Sequence, residues 1–83
     1  MRIYVKLFAV LENRLPPGTK DHTLEMDVGA GTTARQIIES LQIPPALANL
    51  VLIDGVHLLK QEVDSRILKE GESVSIFPPI AGG

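Results

Sequence analysis

Thr33-Ala34-Arg35-Gln36-Ile37-Ile38-Glu39-Ser40-Leu41 carries the one clear helical period in this chain of 83 residues. Ala34, Ile37, Ile38 and Leu41 fall at i, i+3, i+4 and i+7, the spacing of a helix with a single core-facing stripe. Thr33 predicts the N-cap, and Gln36 three residues on completes a capping-box pattern. Pro44-Pro45 stops the helix, and Gly29-Ala30-Gly31 separates it from the segment before. One such helix covers one face of a sheet, so half-buried strands are expected to alternate apolar and polar residues.

Upstream, residues 2–9 alternate: Ile3, Val5 and Leu7 face one way, and Arg2, Tyr4, Lys6 and Phe8 the other. Leu11 to Leu15 predicts a helical turn, ended by the breaker Pro16-Pro17-Gly18. Residues 23–28 alternate again, with Leu24, Met26 and Val28 on one face, and the hydrophilic stretch before them reads as a long loop. Downstream, Leu50 to Ile53 is a continuous apolar run, as for a buried strand. Asp54-Gly55 predicts a hairpin turn into a strand over Val56 to Leu59. Ile67 and Leu68 are expected in the core, and Glu70-Gly71 turns the chain into a last strand over residues 73–77. The order is ββαβββ, an α+β pattern. The economical solution is a mixed sheet packed on one main helix, with its first and last strands paired in parallel. That is the β-grasp, or ubiquitin-like, arrangement. A ferredoxin-like fold is the competitor, and it needs a second helix that the periodicity does not reveal.

Composition narrows the chemistry. Eighty-three residues with 45% hydrophobic content make one small core and leave little room for an internal active site. Lys plus Arg number 8 and Asp plus Glu 10, a net charge of −2, which argues against nucleic acid or an anionic membrane as partner. The absence of cysteine excludes disulfides, thiolate nucleophiles and Cys-based metal sites. No apolar run reaches a membrane span, and the alternating start, Met1-Arg2-Ile3-Tyr4-Val5-Lys6, lacks the apolar centre of a signal peptide. A soluble cytoplasmic protein is the expectation.

The informative end of the chain is Phe77-Pro78-Pro79-Ile80-Ala81-Gly82-Gly83. A domain over 1–77 is expected to give way to a flexible tail over 78–83. A terminal glycine pair can be no more than a frayed, tolerant end, but frayed ends are usually polar, and this one is apolar and proline-stiffened. The alternative is a tail built for a narrow channel. Glycine lets backbone pass close to a partner's walls, and the Gly83 carboxylate is the least hindered a protein can present. Prolines lower the entropy cost of ordering the tail there. On this reading Pro78, Pro79, Ile80, Ala81 and Gly82 thread the partner's active site and Gly83 reacts.

The alternation also predicts a docking patch. If Ile3, Val5 and Leu7 face the helix, Phe8 faces out; if Val74 and Ile76 face it, so does Phe77. Neighbouring first and last strands then place Phe8 and Phe77 together beside the tail, as an exposed aromatic pair of the kind partners bind. His57 could border the same face, with a solvated histidine the plainer reading. Other constellations carry less. His22 and His57 have no carboxylate at a metal-ligand spacing, so no metal is expected. Glu70 and Glu72 flank a turn glycine and read as solvated turn residues. Gly29-Ala30-Gly31-Thr32-Thr33 lacks the lysine of a phosphate loop and reads as a helix cap.

Val5-Lys6-Leu7-Phe8-Ala9, Gly31-Thr32-Thr33, Leu68-Lys69-Glu70-Gly71-Glu72-Ser73-Val74 and the Phe77-to-Gly83 ending together resemble the prokaryotic ubiquitin-like sulfur carriers. The likeness covers essentially the whole chain, and its specificity lies in the last ten residues. The ending is most similar to the small subunit of molybdopterin synthase; the thiamine sulfur carriers are the sister family, and the Pro16-Pro17-Gly18 loop departs from the familiar helix-rich form. The resemblance implies that a ubiquitin-activating-type adenylyltransferase uses ATP and Mg²⁺ to convert the Gly83 carboxylate to an acyl-adenylate. A persulfide sulfur donor then displaces AMP and leaves a thiocarboxylate. The sulfur passes to an intermediate held by the molybdopterin synthase large subunit, or by a thiazole synthase in the thiamine alternative. It further implies that this chain binds no cofactor and is a carrier rather than a catalyst by itself. A protein modifier joined to lysine, or a non-reactive interaction module, are the competing classes.

Overall fold

The structure, a computed structural model, describes residues 1–79. Its elements in chain order are β1 (Arg2–Leu7), a 3₁₀ segment (Ala9–Arg14), β2 (Thr23–Asp27), α1 (Ala34–Ser40), a 3₁₀ turn (Pro45–Leu47), β3 (Leu50–Ile53), β4 (Val56–His57), α2 (Lys60–Ser65) and β5 (Ser73–Phe77). The strands form one mixed sheet in the order β2-β1-β5-β3-β4. β1 and β2 pair antiparallel with Ile3 opposite Met26. β1 and β5 run parallel, Val5 beside Val74 and Leu7 beside Ile76. β5 and β3 are antiparallel, with Leu50 opposite Phe77. The expected β-grasp topology, with first and last strands adjacent and parallel, is what the chain adopts.

The strand alternation becomes the core directly. Ile3, Val5 and Leu7 of β1, Val74 and Ile76 of β5, and Val51 and Ile53 of β3 are buried against Ala34, Ile37 and Ile38 of α1. Each fully buried Ile, Leu or Val of this set removes apolar surface worth about 1.5–3 kcal/mol from water. The helix begins as its sequence requires: the Thr33 hydroxyl oxygen accepts from the Gln36 N–H (3.3 Å), and the Gln36 side chain accepts from the Thr33 N–H (2.9 Å). Both orphan donors are satisfied reciprocally, and capping is what the glycine-rich approach to α1 serves.

The far end of α1 closes in a Schellman motif. The Ile43 N–H donates to the Ile38 carbonyl (3.1 Å) and the Gln42 N–H to that of Glu39 (3.0 Å), while buried Ile43 and Ile38 supply the apolar contact that accompanies such caps. Gln42 sits at φ 57°, a left-handed conformation that costs a residue with a Cβ about 1–2 kcal/mol. Gln42→Gly is therefore expected to raise stability by about 1 kcal/mol, read as a higher midpoint in urea with unchanged slope; a lower midpoint would show that the Gln42 side chain matters more than its backbone.

Four expectations need correction. The second helix, α2, has only Val63 buried, so it shows almost no period. Its start is fixed by the Glu62 carboxylate accepting from the Leu59 N–H (2.7 Å). The strand expected over Val56 to Leu59 stops at His57, because Leu58 turns inward to the core and Leu59 begins α2. Ile67, expected in the core beside Leu68, is 55% exposed; it bridges to Thr33 in an extended segment, where neighbouring side chains point to opposite sides. Glu72 is not solvated. It is buried, and its carboxylate accepts from both terminal nitrogens of Arg66 (3.1 and 2.8 Å) and from the Lys69 N–H (2.7 Å).

The hydrogen bonds from Arg66 hold the Glu72 carboxyl below the usual carboxylate range, against the opposing push of burial; the Lys69 N–H helps. A carboxyl with a lowered folded-state pKa contributes stability that is present above its unfolded value, about 4.3, and is lost as pH falls through the folded value. Glu72→Gln should cost about 2–3 kcal/mol near neutral pH, as a charged hydrogen-bond set is lost. The difference from wild type should shrink progressively below about pH 4. Parallel denaturation curves across pH check this, and a gap that stays constant into acid would assign the loss to packing.

Candidate functional site

Residues of β1, β5 and β3 that alternate with the core set form the other face of the sheet. The strand register places Thr23, Lys6, Ser75, Leu52 and His57 in one row across all five strands. The next row, toward the end of β5, holds Phe77 opposite Leu50. Phe8 follows β1 directly and meets Phe77 with ring centroids 4.3 Å apart at 69°, an edge-to-face pair worth about 0.5–1.5 kcal/mol beyond its burial. Both rings remain half-exposed, as do Leu50 and Leu52. The expected juxtaposition of Phe8 and Phe77 on the outer face is thus present, and exposed His57 borders that face across from Leu52.

Sequence reasoning missed His22. Its imidazole stacks on Phe8 at 5.2 Å and 30°, and its Nδ1 lies 2.6 Å from a Glu12 carboxylate oxygen. Two backbone features bring it there. Ala9, at φ 54°, turns the chain sharply from β1 into the 3₁₀ segment carrying Glu12. Asp21 and His22, at φ 55° and 56°, are consecutive left-handed residues, and the His22 carbonyl accepts from the Leu7 N–H (3.0 Å). The loop is thereby stitched to the end of β1. Asp tolerates this conformation, which is the one signal the sequence offered.

The chain leaves the sheet beside this cluster. The Phe77 carbonyl accepts from the Asn49 N–H (3.1 Å), so β5 is held to its last residue; Pro78 is half-buried and Pro79 exposed. Ile80, Ala81, Gly82 and Gly83, to which the threading and reactive roles were assigned, lie outside the described residues. Among the described residues no group of three or more metal-ligating side chains comes together, and no helix is long and apolar enough to cross a membrane. The face offers aromatic and aliphatic surface with Lys6, His22 and His57 at its margins, an arrangement suited to adhesion beside a tail rather than to acid–base chemistry.

The family model described as the ThiS family matches residues 5–83, from within β1 through the diglycine. The chain belongs to the ThiS family. As a member of these ubiquitin-like sulfur carriers it joins small proteins of the same fold. The HVO 2177 protein of Haloferax volcanii superposes with a TM-score of 0.78 at 22% identity, covering 100% of this chain and 87% of that one. A putative molybdopterin converting factor subunit 1 from Pyrococcus furiosus gives 0.64 at 22%, covering 95% and 98%. A Helicobacter pylori complex of subunits 1 and 2 of molybdopterin-converting factor gives 0.55 at 17%, covering 100% of both chains. At these identities the likeness is one of fold. No curated sequence matches this ThiS-family chain.

Proposed function

We propose that this ThiS-family protein carries sulfur as a thiocarboxylate on Gly83 and delivers it in molybdopterin biosynthesis. The observation that carries the reading is the family match running through the diglycine, on a domain whose last strand ends at a half-exposed aromatic pair. A carboxylate is a poor acyl donor because its leaving group would be oxide. Attack of the Gly83 carboxylate on the α-phosphorus of ATP, with Mg²⁺ on a ubiquitin-activating-type adenylyltransferase, forms the acyl-adenylate and releases pyrophosphate. A protein persulfide then attacks the carbonyl and AMP departs; a second thiol cleaves the resulting acyl disulfide and frees the thiocarboxylate. That soft nucleophile attacks a carbon of a pterin intermediate on a large subunit and displaces an oxygen substituent; water then cleaves the resulting thioester, leaving the sulfur on the pterin and returning the Gly83 carboxylate. The molybdopterin assignment draws on the fold likeness to converting-factor subunit 1 and on the subunit 1–subunit 2 complex.

Within this reading Pro78 to Gly82 thread the partner, Phe8 and Phe77 dock it, and the chain is the small subunit of a sulfurtransferase rather than an enzyme alone. A thiamine-type acceptor, or conjugation to lysine, would use the same adenylate and differ in product. Intact mass spectrometry after incubation with the host adenylyltransferase, ATP and a persulfide donor tests the proposal. A gain equal to exchanging one oxygen for sulfur is expected. Its absence, with an adenylyltransferase that demonstrably forms the adenylate on Gly83, would overturn the carrier role, and an isopeptide product would replace it by conjugation.

A further inference from the structure

Phe8 is held on two sides. Phe77 meets its ring edge-to-face at 4.3 Å and 69°, and His22 stacks on it at 5.2 Å and 30°. The imidazole is held in turn, with its Nδ1 2.6 Å from a Glu12 carboxylate oxygen. An ionised carboxylate only accepts, so Nδ1 is the nitrogen that carries hydrogen. Both supports stand on anchored backbone. Glu12 follows the fully buried Leu11, and its carbonyl accepts from the Leu15 N–H (3.0 Å). The His22 carbonyl accepts from the Leu7 N–H (3.0 Å) at the end of β1. Stability alone is a poor reason for this arrangement. Asp21 and His22 sit at φ 55° and 56°, a conformation that penalises any residue with a Cβ. The side chains of His22 and Glu12 are 46% and 47% exposed, and pairs so open to water contribute little. Glycine at position 22 would remove the backbone penalty, yet the chain carries there an imidazole that lies on Phe8. Strain retained beside a surface aromatic points to a use of that surface.

We propose that His22, braced by Glu12, is a positioning residue that holds the Phe8 ring in the orientation met by the partner receiving the tail. This role rests on the reading of Phe8 and Phe77 as docking residues. A phenyl ring on a free surface samples more than one rotamer, and a partner that covers it must freeze one. Here the freezing is done on folding, by Glu12 and His22, before any partner arrives. His22 acts through Phe8 and not on the chemistry at Gly83. It should therefore set how much carrier is needed to fill the partner, and leave the turnover of bound carrier alone.

Pyrophosphate exchange by the adenylyltransferase, read against concentration of the full chain, tests this. Asparagine tolerates the left-handed backbone but cannot stack as an imidazole does. His22→Asn should raise KM for the carrier about fivefold with kcat unchanged, the effect of one more side chain for the partner to immobilise. Glu12→Ala should act alike, and the double variant should be no worse than either single one. Glu12→Gln should restore the wild-type KM, because its amide oxygen still accepts from Nδ1. In a Phe8→Ala background, His22→Asn should change nothing further. An unaltered KM, a fall in kcat, or the same loss without Phe8 would each overturn the proposal, the last because His22 would then touch the partner itself. The clamp is also read without a partner, from the Phe8 Hα–Hβ couplings. One χ1 rotamer is expected in wild type and Glu12→Gln, and averaging in His22→Asn and Glu12→Ala; averaging in wild type would overturn the clamp. Wild type that supports no exchange marks failure of the carrier reading, whereas exchange by variants indistinguishable from wild type marks failure of this role alone. In the first case the couplings still decide whether Glu12 and His22 fix Phe8.

Discussion

Deletion of Gly83 should leave the melting curve unchanged and lower sulfur loading by more than about 100-fold. The first half follows from where the structure is fastened: the last described anchor of β5 is the Phe77 carbonyl on Asn49, well upstream of the deletion. The second half is a matter of reach. The shortened chain still ends in a glycine carboxylate, chemically the same group, but withdrawn by one extended residue, about 3.3–3.6 Å. A reacting group misplaced by about 1 Å can already lose about 100-fold. Pyrophosphate exchange and intact mass, read on wild type and the deletion side by side, separate adenylation from sulfur transfer. Loading of the shortened chain at the wild-type rate would remove the geometric argument and with it the special role of Gly83.

Phe77→Ser should weaken binding to the adenylyltransferase about 30-fold, the effect of losing an aromatic anchor worth about 2 kcal/mol. Phe77 is half-exposed, packs edge-to-face on Phe8, and sits opposite Leu50 immediately before the tail. On the proposed function, a partner that receives the tail is expected to cover this ring as well. Ile67→Ser is the control: Ile67 is 55% exposed beside the start of α1, off the outer face, and should leave affinity unchanged. Calorimetry with all three proteins decides. Equal affinities for wild type and Phe77→Ser would mean that the tail alone is recognised.

The parts of this fold that a reader of the sequence could see are those where one face is buried and the other wet. β1 declares itself through Ile3, Val5 and Leu7, and α1 through its i, i+3, i+4 stripe and the Thr33–Gln36 cap, because burial imposes a period on residue type. Where burial touches one residue per element the period vanishes. α2 has Val63 alone, and its N-cap is a leucine served by Glu62 rather than a Ser, Thr, Asp or Asn. Ile67 and Leu68 show the same weakness in extended chain, where one position decides inside from outside. Glu72 was misread because glutamate beside a turn glycine is usually solvated; its partner Arg66 lies six residues earlier, across α2's exit, and no pattern announces that meeting. At the site, Phe8 and Phe77 were legible from alternation plus topology. His22 was not, since its place depends on left-handed residues that spacing does not encode.

The position of β5 between β1 and β3 also sets when the molecule can come into being. A nascent chain lacking residues 73–77 holds two separate strand pairs, β1 with β2 and β3 with β4, and nothing to join them into one sheet. Lone two-stranded ribbons are at best marginal in water, so the core stays open to proteases until the last strand is synthesised. In this sequence the tail follows β5 at once. A chain that ends before residue 73 is therefore expected to stay unfolded, so closure of the sheet marks the moment at which synthesis has passed β5.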